Sequence, residues 1–257
     1  MCLLIMLAQT HREFPLVVAA NRDELLDRPA VAMTVLREAG PRIIGGRDEL
    51  AGGTWLAVND AGVVAGLTNR PATKDAARRS RGELPIALAS HTSARAAVEA
   101  FAADYRPSDY NPAWLLVGDR ETAFAVDMAG GDSPVVEPLA PGIHILENRA
   151  LGAASPKADH VRRLLEGVEG LAEDALVQRL QTVLGDHHVP DGPVAAPEGS
   201  PIEVPQEVKA ACVHAERYGT RWSGVVTVPA SHDDVPEFRY ADGSACRASW
   251  RSASVRP

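Results

Sequence analysis

Cys2 directly follows the initiator Met1. Methionine is usually removed before a small second residue, and the mature chain would then begin with cysteine. An N-terminal nucleophile carries its own base, because a free α-amine has a reference pKa of about 7.7–8.0 and accepts a thiol proton near neutral pH. Thiolate is the reactive form, and a nearby cation increases its fraction. This chemistry needs a strand to hold the cysteine and donors for an oxyanion. The plainer alternative is that Cys2 is a small hydrophobe starting a buried strand.

Other residues could serve the same chemistry. Asn21-Arg22-Asp23-Glu24 follow the apolar run Val17-Val18-Ala19-Ala20. If that run pairs with residues 2–9, Arg22 can support a thiolate and Asp23 can fix the α-amine by a charge-assisted hydrogen bond. A solvated strand end with an internal ion pair is the alternative. Asn69 in AGLTNRP and Asn148 in HILENRA end apolar runs. Neutral amides stabilise developing negative charge without having to ionise, although turn residues would look the same. His187-His188 lie in a Pro/Gly-rich stretch, and Cys212-Val213-His214 lacks a second half. Neither has the spacing of a structural zinc site, so no metal and no cofactor is expected. Gly45-Gly46 and Gly52-Gly53 read as turns or close backbone approaches, not phosphate cradles.

Composition narrows the setting. The 257 residues carry 26 Lys+Arg against 34 Asp+Glu, a formal charge of −8. With no basic run, nucleic acid is not an expected partner. No apolar run approaches the ~20 residues needed to span a bilayer, and no basic segment precedes the first apolar run, so a cytoplasmic location is expected. Three cysteines, Cys2, Cys212 and Cys246, make no disulfide framework, and the latter two read as ordinary thiols. Length alone suggests about 1.7 domains, but layered folds of this size often form one, and residues 1–257 are taken as one domain.

The elements that would position these residues follow from pattern. Strands are predicted at 2–9, 15–20, 42–48, 54–59, 62–68, 113–118, 122–128, 142–147, 220–228, 236–241 and 245–251. The first two form a hairpin. Helices are predicted at 81–90, opened by a Ser80/Glu83 capping box, and at 93–104, 155–166 and 172–184. Residues 185–206 read as a long loop. Strand runs separated by helix runs argue for α+β rather than βαβ alternation.

Cys2, NRDE at 21–24, GGRDELAGGTWLAV at 45–58, GLTNR at 66–70 and YGTR at 218–221 occur together. With them the chain resembles the NRDE family, also called the transport and Golgi organisation family, from residue 2 to about 228. Two departures stand out. LENRALGAASPK at 146–157 lacks the tryptophan that relatives tend to carry, and Trp222 stands where small hydroxyl residues are usual; both could alter a pocket wall. The family is similar in turn to cysteine N-terminal nucleophile hydrolases. That likeness implies an αββα four-layer sandwich with two stacked antiparallel sheets. It also implies attack by Cys2 on a non-peptide amide or related acyl bond, with Asp23 at the α-amine and Asn69 and Asn148 at the oxyanion. Arg22 is the poorest match for the thiolate's arginine, and Arg221 is the other candidate. Arg47, Trp55 and Arg221 are the expected substrate contacts. The competing implication is a haem or acyl-lipid binding and trafficking protein, with Arg47, Arg70 and Arg221 pairing carboxylates. Small-molecule acyl, amide or haem-like ligands are therefore the expected partners.

Overall fold

A computed structural model describes residues 2–191 and 206–256 of the chain. In chain order the first strands are β1 (Leu3–Ala8), β2 (Leu16–Leu25), β3 (Ala30–Arg37), β4 (Ile43–Asp48), β5 (Leu56–Asn59) and β6 (Val64–Asn69). Helices α1 (Glu83–Leu88) and α2 (Ala94–Asp104) follow, then β7 (Ala113–Gly118), β8 (Ala123–Asp127), β9 (Val135–Pro138) and β10 (Gly142–Leu146). Helices α3 (Pro156–Leu164) and α4 (Glu173–Leu184) precede β11 (Tyr218–Val228), β12 (Glu237–Ala241) and β13 (Trp250–Ser254). One sheet runs β10-β1-β2-β11-β12-β13, the other β3-β4-β5-β6-β7-β8-β9. Neighbouring strands in both sheets are antiparallel.

Strand alternation explains the layers. Side chains along β1 point to opposite faces in turn. Leu4 and Met6 join Val18, Leu56, Val64, Leu116 and Val226 in a core between the sheets. Leu3, Ile5 and Leu7 join Val17, Ala19, Val161, Leu176 and Leu180 in a second core beneath α3 and α4. Across the molecule, Ala65, Leu115 and Val117 pack with Leu84, Leu88, Ala97 and Phe101 of α1 and α2. The architecture is thus two stacked antiparallel sheets with helices on both outer faces. Because β1 is covered on both sides, it reads as an unbroken apolar run, not an alternating one. Among the described residues no helix is long and apolar enough to cross a membrane.

Several expectations need correction. The capping box does not form: α1 is capped at Gly82 with no side-chain hydrogen bond, and Ser80 instead accepts from the Gly82 N–H. Ser93 and Ser155 do cap α2 and α3, each accepting from the backbone N–H three residues on. The strand predicted at 245–251 begins only at Trp250. Strands β3 and β9 are absent from the predicted set, since their burial is shallow and mixed, without a clean two-residue period. The predicted loop 185–206 falls mostly outside the described residues.

Trp222 is not a pocket wall. It is 2% exposed and lies between the sheets, donating from Nε1 to the Ala32 carbonyl at 2.8 Å. Its ring meets Trp55 and Phe238 edge-on, at centroid distances of 5.3 and 5.9 Å. Gly224 makes the room, because a Cβ there would overlap the indole. Trp222→Ala should therefore lower unfolding free energy by about 3–5 kcal/mol, as large-to-small changes in packed cores do. The urea midpoint of purified variant and wild type checks this, and equal midpoints would contradict the packing role.

Candidate active site

Cys2 stands one residue before β1, whose first residue, Leu3, pairs with Asn21 of β2. The NRDE tetrad is therefore not a solvated strand end. It continues β2, and Asn21, Arg22 and Asp23 are buried at 1%, 5% and 4% exposure. Alternation splits the tetrad between two faces. Arg22 points between the sheets, over the Trp55 ring at 4.6 Å, and donates to Asp48 at 2.8 Å. Asn21 and Asp23 point toward the α3/α4 side, where Asn21 donates to the Leu184 carbonyl at the end of α4.

The Cys2 backbone nitrogen donates to Asn148 Oδ1 at 2.7 Å. Asn148 Nδ2 donates in turn to the Asn69 carbonyl at 2.6 Å. Asn69, at the end of β6, and Asn148, two residues past β10, are thus tied together at the nucleophile. An amide nitrogen has two donors, so one Asn148 hydrogen remains for a ligand. Asn69 lines the same cavity as Cys2.

Burial pushes the Cys2 thiol up from its ordinary value, against the Asp23 backbone N–H and the Arg22 charge, which pull it down. Arg81, half-buried and held by the Pro112 carbonyl, is a further cation within electrostatic reach of the sulfur. Burial likewise pushes the Asp23 carboxyl up. Its Oδ1 accepts from Thr220 Oγ1 at 2.6 Å, while Oδ2 is buried without a hydrogen-bond partner among the described residues. A buried polar atom left so is costly and asks for a ligand or a charge.

Lys157 was missed by sequence reasoning, although Pro156-Lys157 lies in a segment singled out for other reasons. It is 3% exposed, and its Nζ has no hydrogen-bond partner among the described residues. Burial pushes its ammonium down, opposed by Asp23, Glu147 and Cys2. Glu147 is itself buried and bonded to the α3 cap, Ser155.

The cavity holding Cys2 has a volume of about 690 Å³. Six cationic side chains (Arg22, Arg28, Lys74, Arg78, Arg79 and Arg81) line it against four acidic ones (Asp23, Glu24, Asp48 and Asp75). On a chain of net −8 this is a local reversal of sign. Trp55 lines it too, and Gly46 permits this because a Cβ there would overlap its ring. The other two expected substrate contacts are elsewhere. Arg47 is exposed on β4, and its neighbour Asp48 lines the cavity instead. Arg221 donates to the carbonyls of Leu25, Leu26 and Arg28 and lines no part of the cavity. Arg70, offered as a carboxylate partner, pairs with Asp127.

Known proteins share this arrangement of sheets. A Caenorhabditis elegans ortholog of N-acylethanolamine-hydrolyzing acid amidase superposes with a TM-score of 0.56 at 14% identity, covering 90% of this chain and 94% of its own. A mutant conjugated bile acid hydrolase from Clostridium perfringens gives 0.52 at 9% identity, covering 99% and 92%. At such identities the likeness shows the fold. In sequence, the transport and Golgi organization protein 2 homolog of Bos taurus is 33% identical over 234 residues, 84% of this chain and 83% of its own. The Homo sapiens homolog is 30% identical over 234 residues, with the same two shares. The model of the family described as "Transport and Golgi organisation 2" matches residues 1–236. The chain belongs to the transport and Golgi organisation 2 family.

Proposed function

We propose that the protein is an N-terminal cysteine amidohydrolase acting on a small N-acyl compound. The observation that carries this reading is the hydrogen bond from the Cys2 nitrogen to Asn148, at the edge of a cavity that also receives Asn69. Loss of Met1 turns that nitrogen into an α-amine. Asp23 Oδ2, without a hydrogen-bond partner among the described residues, supports the reading, since it suits a second ammonium hydrogen. In the mechanism the thiol proton passes to the α-amine as sulfur attacks the acyl carbon. Amide hydrogens of Asn69 and Asn148 hold the oxyanion. The C–N bond breaks, the amine leaves with the proton, and water then hydrolyses the thioester. A cavity near 690 Å³ is of a size that takes a small organic ligand. Its cationic excess favours an acyl or amine portion carrying a carboxylate. A cytoplasmic setting belongs to the same reading, because it keeps thiols reduced.

The cationic lining also favours a second reading, capture of an acyl lipid or haem through carboxylate groups without turnover. One experiment separates the two. The purified protein, with its N-terminus established by intact mass, is incubated with neutral and carboxylate-bearing N-acyl amides. Amine release is followed, and haem absorbance is titrated in parallel. Hydrolysis with an acyl adduct on the chain is the expected result, faster for the anionic amides. Saturable haem binding with no amine released from any amide would overturn it in favour of the binding reading.

A further inference from the structure

Four side chains from two separate connections converge on the face of β2 and β11 that carries Asn21. His187 follows α4, Cys212 and His214 precede β11, and Cys246 lies between β12 and β13. Their potential ligand atoms all lie within 4.8 Å of one another. The two sulfurs are 3.6 Å apart, and His214 Nε2 is 3.7 Å from Cys212 Sγ and 3.2 Å from Cys246 Sγ. A tetrahedral zinc site with Zn–S of about 2.3 Å and Zn–N of about 2.0–2.1 Å has edges of roughly 3.3–3.8 Å. The three separations among Cys212, His214 and Cys246 are close to the edges of that tetrahedron and far from the ~2.0 Å of a disulfide, and the His187 ligand atom lies within 4.8 Å of them. We propose that His187, Cys212, His214 and Cys246 form a structural site for a borderline-soft divalent cation, zinc above all.

The surroundings suit a metal. His187 Nδ1 lies 3.3 Å from the Cys212 carbonyl, and donation there fixes the tautomer that leaves Nε2 free to ligate. Two thiolates and two neutral imidazoles balance the charge of a divalent ion, and each thiol releases its proton as the ion binds. Four protein ligands leave no open position, so the site is structural and not catalytic.

The backbone that carries the ligands is already anchored to one polar pair. Asn21 Nδ2 donates at 2.8 Å to the carbonyls of Leu184 and Ala211. Asn21 Oδ1 accepts from Ser223 Oγ at 2.7 Å, and Ser223 Oγ accepts from the Ala245 N–H at 3.0 Å. Ala211 and Ala245 immediately precede Cys212 and Cys246, and Leu184 ends the helix that leads to His187. The NRDE asparagine therefore supports all three segments of the cluster. Between Cys212 and His214, Val213 exchanges hydrogen bonds with Thr220, the same residue that bonds Asp23. A metal here would hold taut the segment that orients Asp23.

Full-length protein is expressed with zinc, purified under reducing conditions without a metal-affinity column, dialysed, and analysed by elemental mass spectrometry. About one zinc per chain is expected in wild type and in Cys2→Ala. Cys246→Ala and His187→Ala, both at exposed positions, should hold almost none while keeping the wild-type circular dichroism. Cobalt exchanged into the wild-type protein should give the visible bands of tetrahedral thiolate ligation, and chelation should lower Tm by roughly 5 °C or more. Wild type that retains no metal after loading would overturn the proposal. So would undiminished zinc in both variants, or an intact mass two hydrogens light with two thiols lost to a Cys212–Cys246 disulfide.

Discussion

A chain whose N-terminus is blocked should be inactive, although every side chain is in place. Cys2→Ala is expected to lower N-acyl amide hydrolysis by about 10³-fold or more, the scale seen when a nucleophile is removed. A leader peptide fused before an intact Cys2 should do the same, and protease cleavage immediately before Cys2 should restore the rate. The reason lies in the thiol. Burial holds it up, so little thiolate exists at neutral pH and the attack needs a proton acceptor within reach. A free amine bonded to Asn148 supplies one, whereas an amide does not. The rate should therefore climb with pH as the amine loses its proton, from the acid side of its reference range of about 7.7–8.0. Equal rates for fused and cleaved protein would remove the α-amine from the mechanism. Full activity in Cys2→Ala would remove the sulfur.

The second large effect is expected at Lys157, where stability and activity should move in opposite directions. Its ammonium is pushed down by burial, so the folded state disfavours the proton that the unfolded chain holds up to about 10.4. The penalty is fully present below the folded value and fades as pH rises from there toward the unfolded one. Lys157→Met removes the penalty in a side chain of similar length. It should unfold at an equal or higher urea midpoint at pH 7, by about 1–3 kcal/mol, and lack the alkaline gain of wild type. Asp23 responds the other way. Its pKa is already raised by burial, and Lys157 is among the charges that hold it down. Without that charge it stays protonated to higher pH and no longer anchors an α-ammonium, so kcat/KM should fall by about 10–100-fold. A variant that is clearly less stable and fully active would make Lys157 part of an ordinary buried ion cluster.

The parts legible in the sequence were those written locally. A cysteine after Met1, four polar residues appended to an apolar run, and amides closing two strands all carry their meaning within a few residues. The sandwich was legible because strand runs and helix runs segregate along the chain. Arg81 and Lys157 were not, since nothing local tells a helix-start cation at the surface from one buried beside a thiol. The His187, Cys212, His214 and Cys246 cluster was least legible of all. Its members are spread over residues 187–214 of one connection and Cys246 of another, which meet only in the fold, so zinc-like spacing never arises in the sequence. Arg47 and Arg221 failed for the converse reason, because membership of a motif does not fix which way a side chain points.

Arg221, remote from the cavity, still decides which way its neighbours face. β11 slips against β2 between Thr220, which pairs with Asp23, and Trp222, which pairs with Arg22. Arg221 is the unpaired extra residue of that bulge. In a regular ladder Thr220 and Trp222 would share a face, yet here Thr220 reaches Asp23 while Trp222 enters the core between the sheets. One residue held outside the ladder thus changes the reading frame of the strand midway, and Ser223 regains the face of its partner Asn21. Drawn into the ladder, Arg221 would stand opposite Arg22. Trp222 would then fall opposite Asn21 and send an indole toward the polar anchor. The guanidinium's grip on the carbonyls of Leu25, Leu26 and Arg28 keeps the extra residue out, so a side chain far from the sulfur sets the parity on which both cores depend.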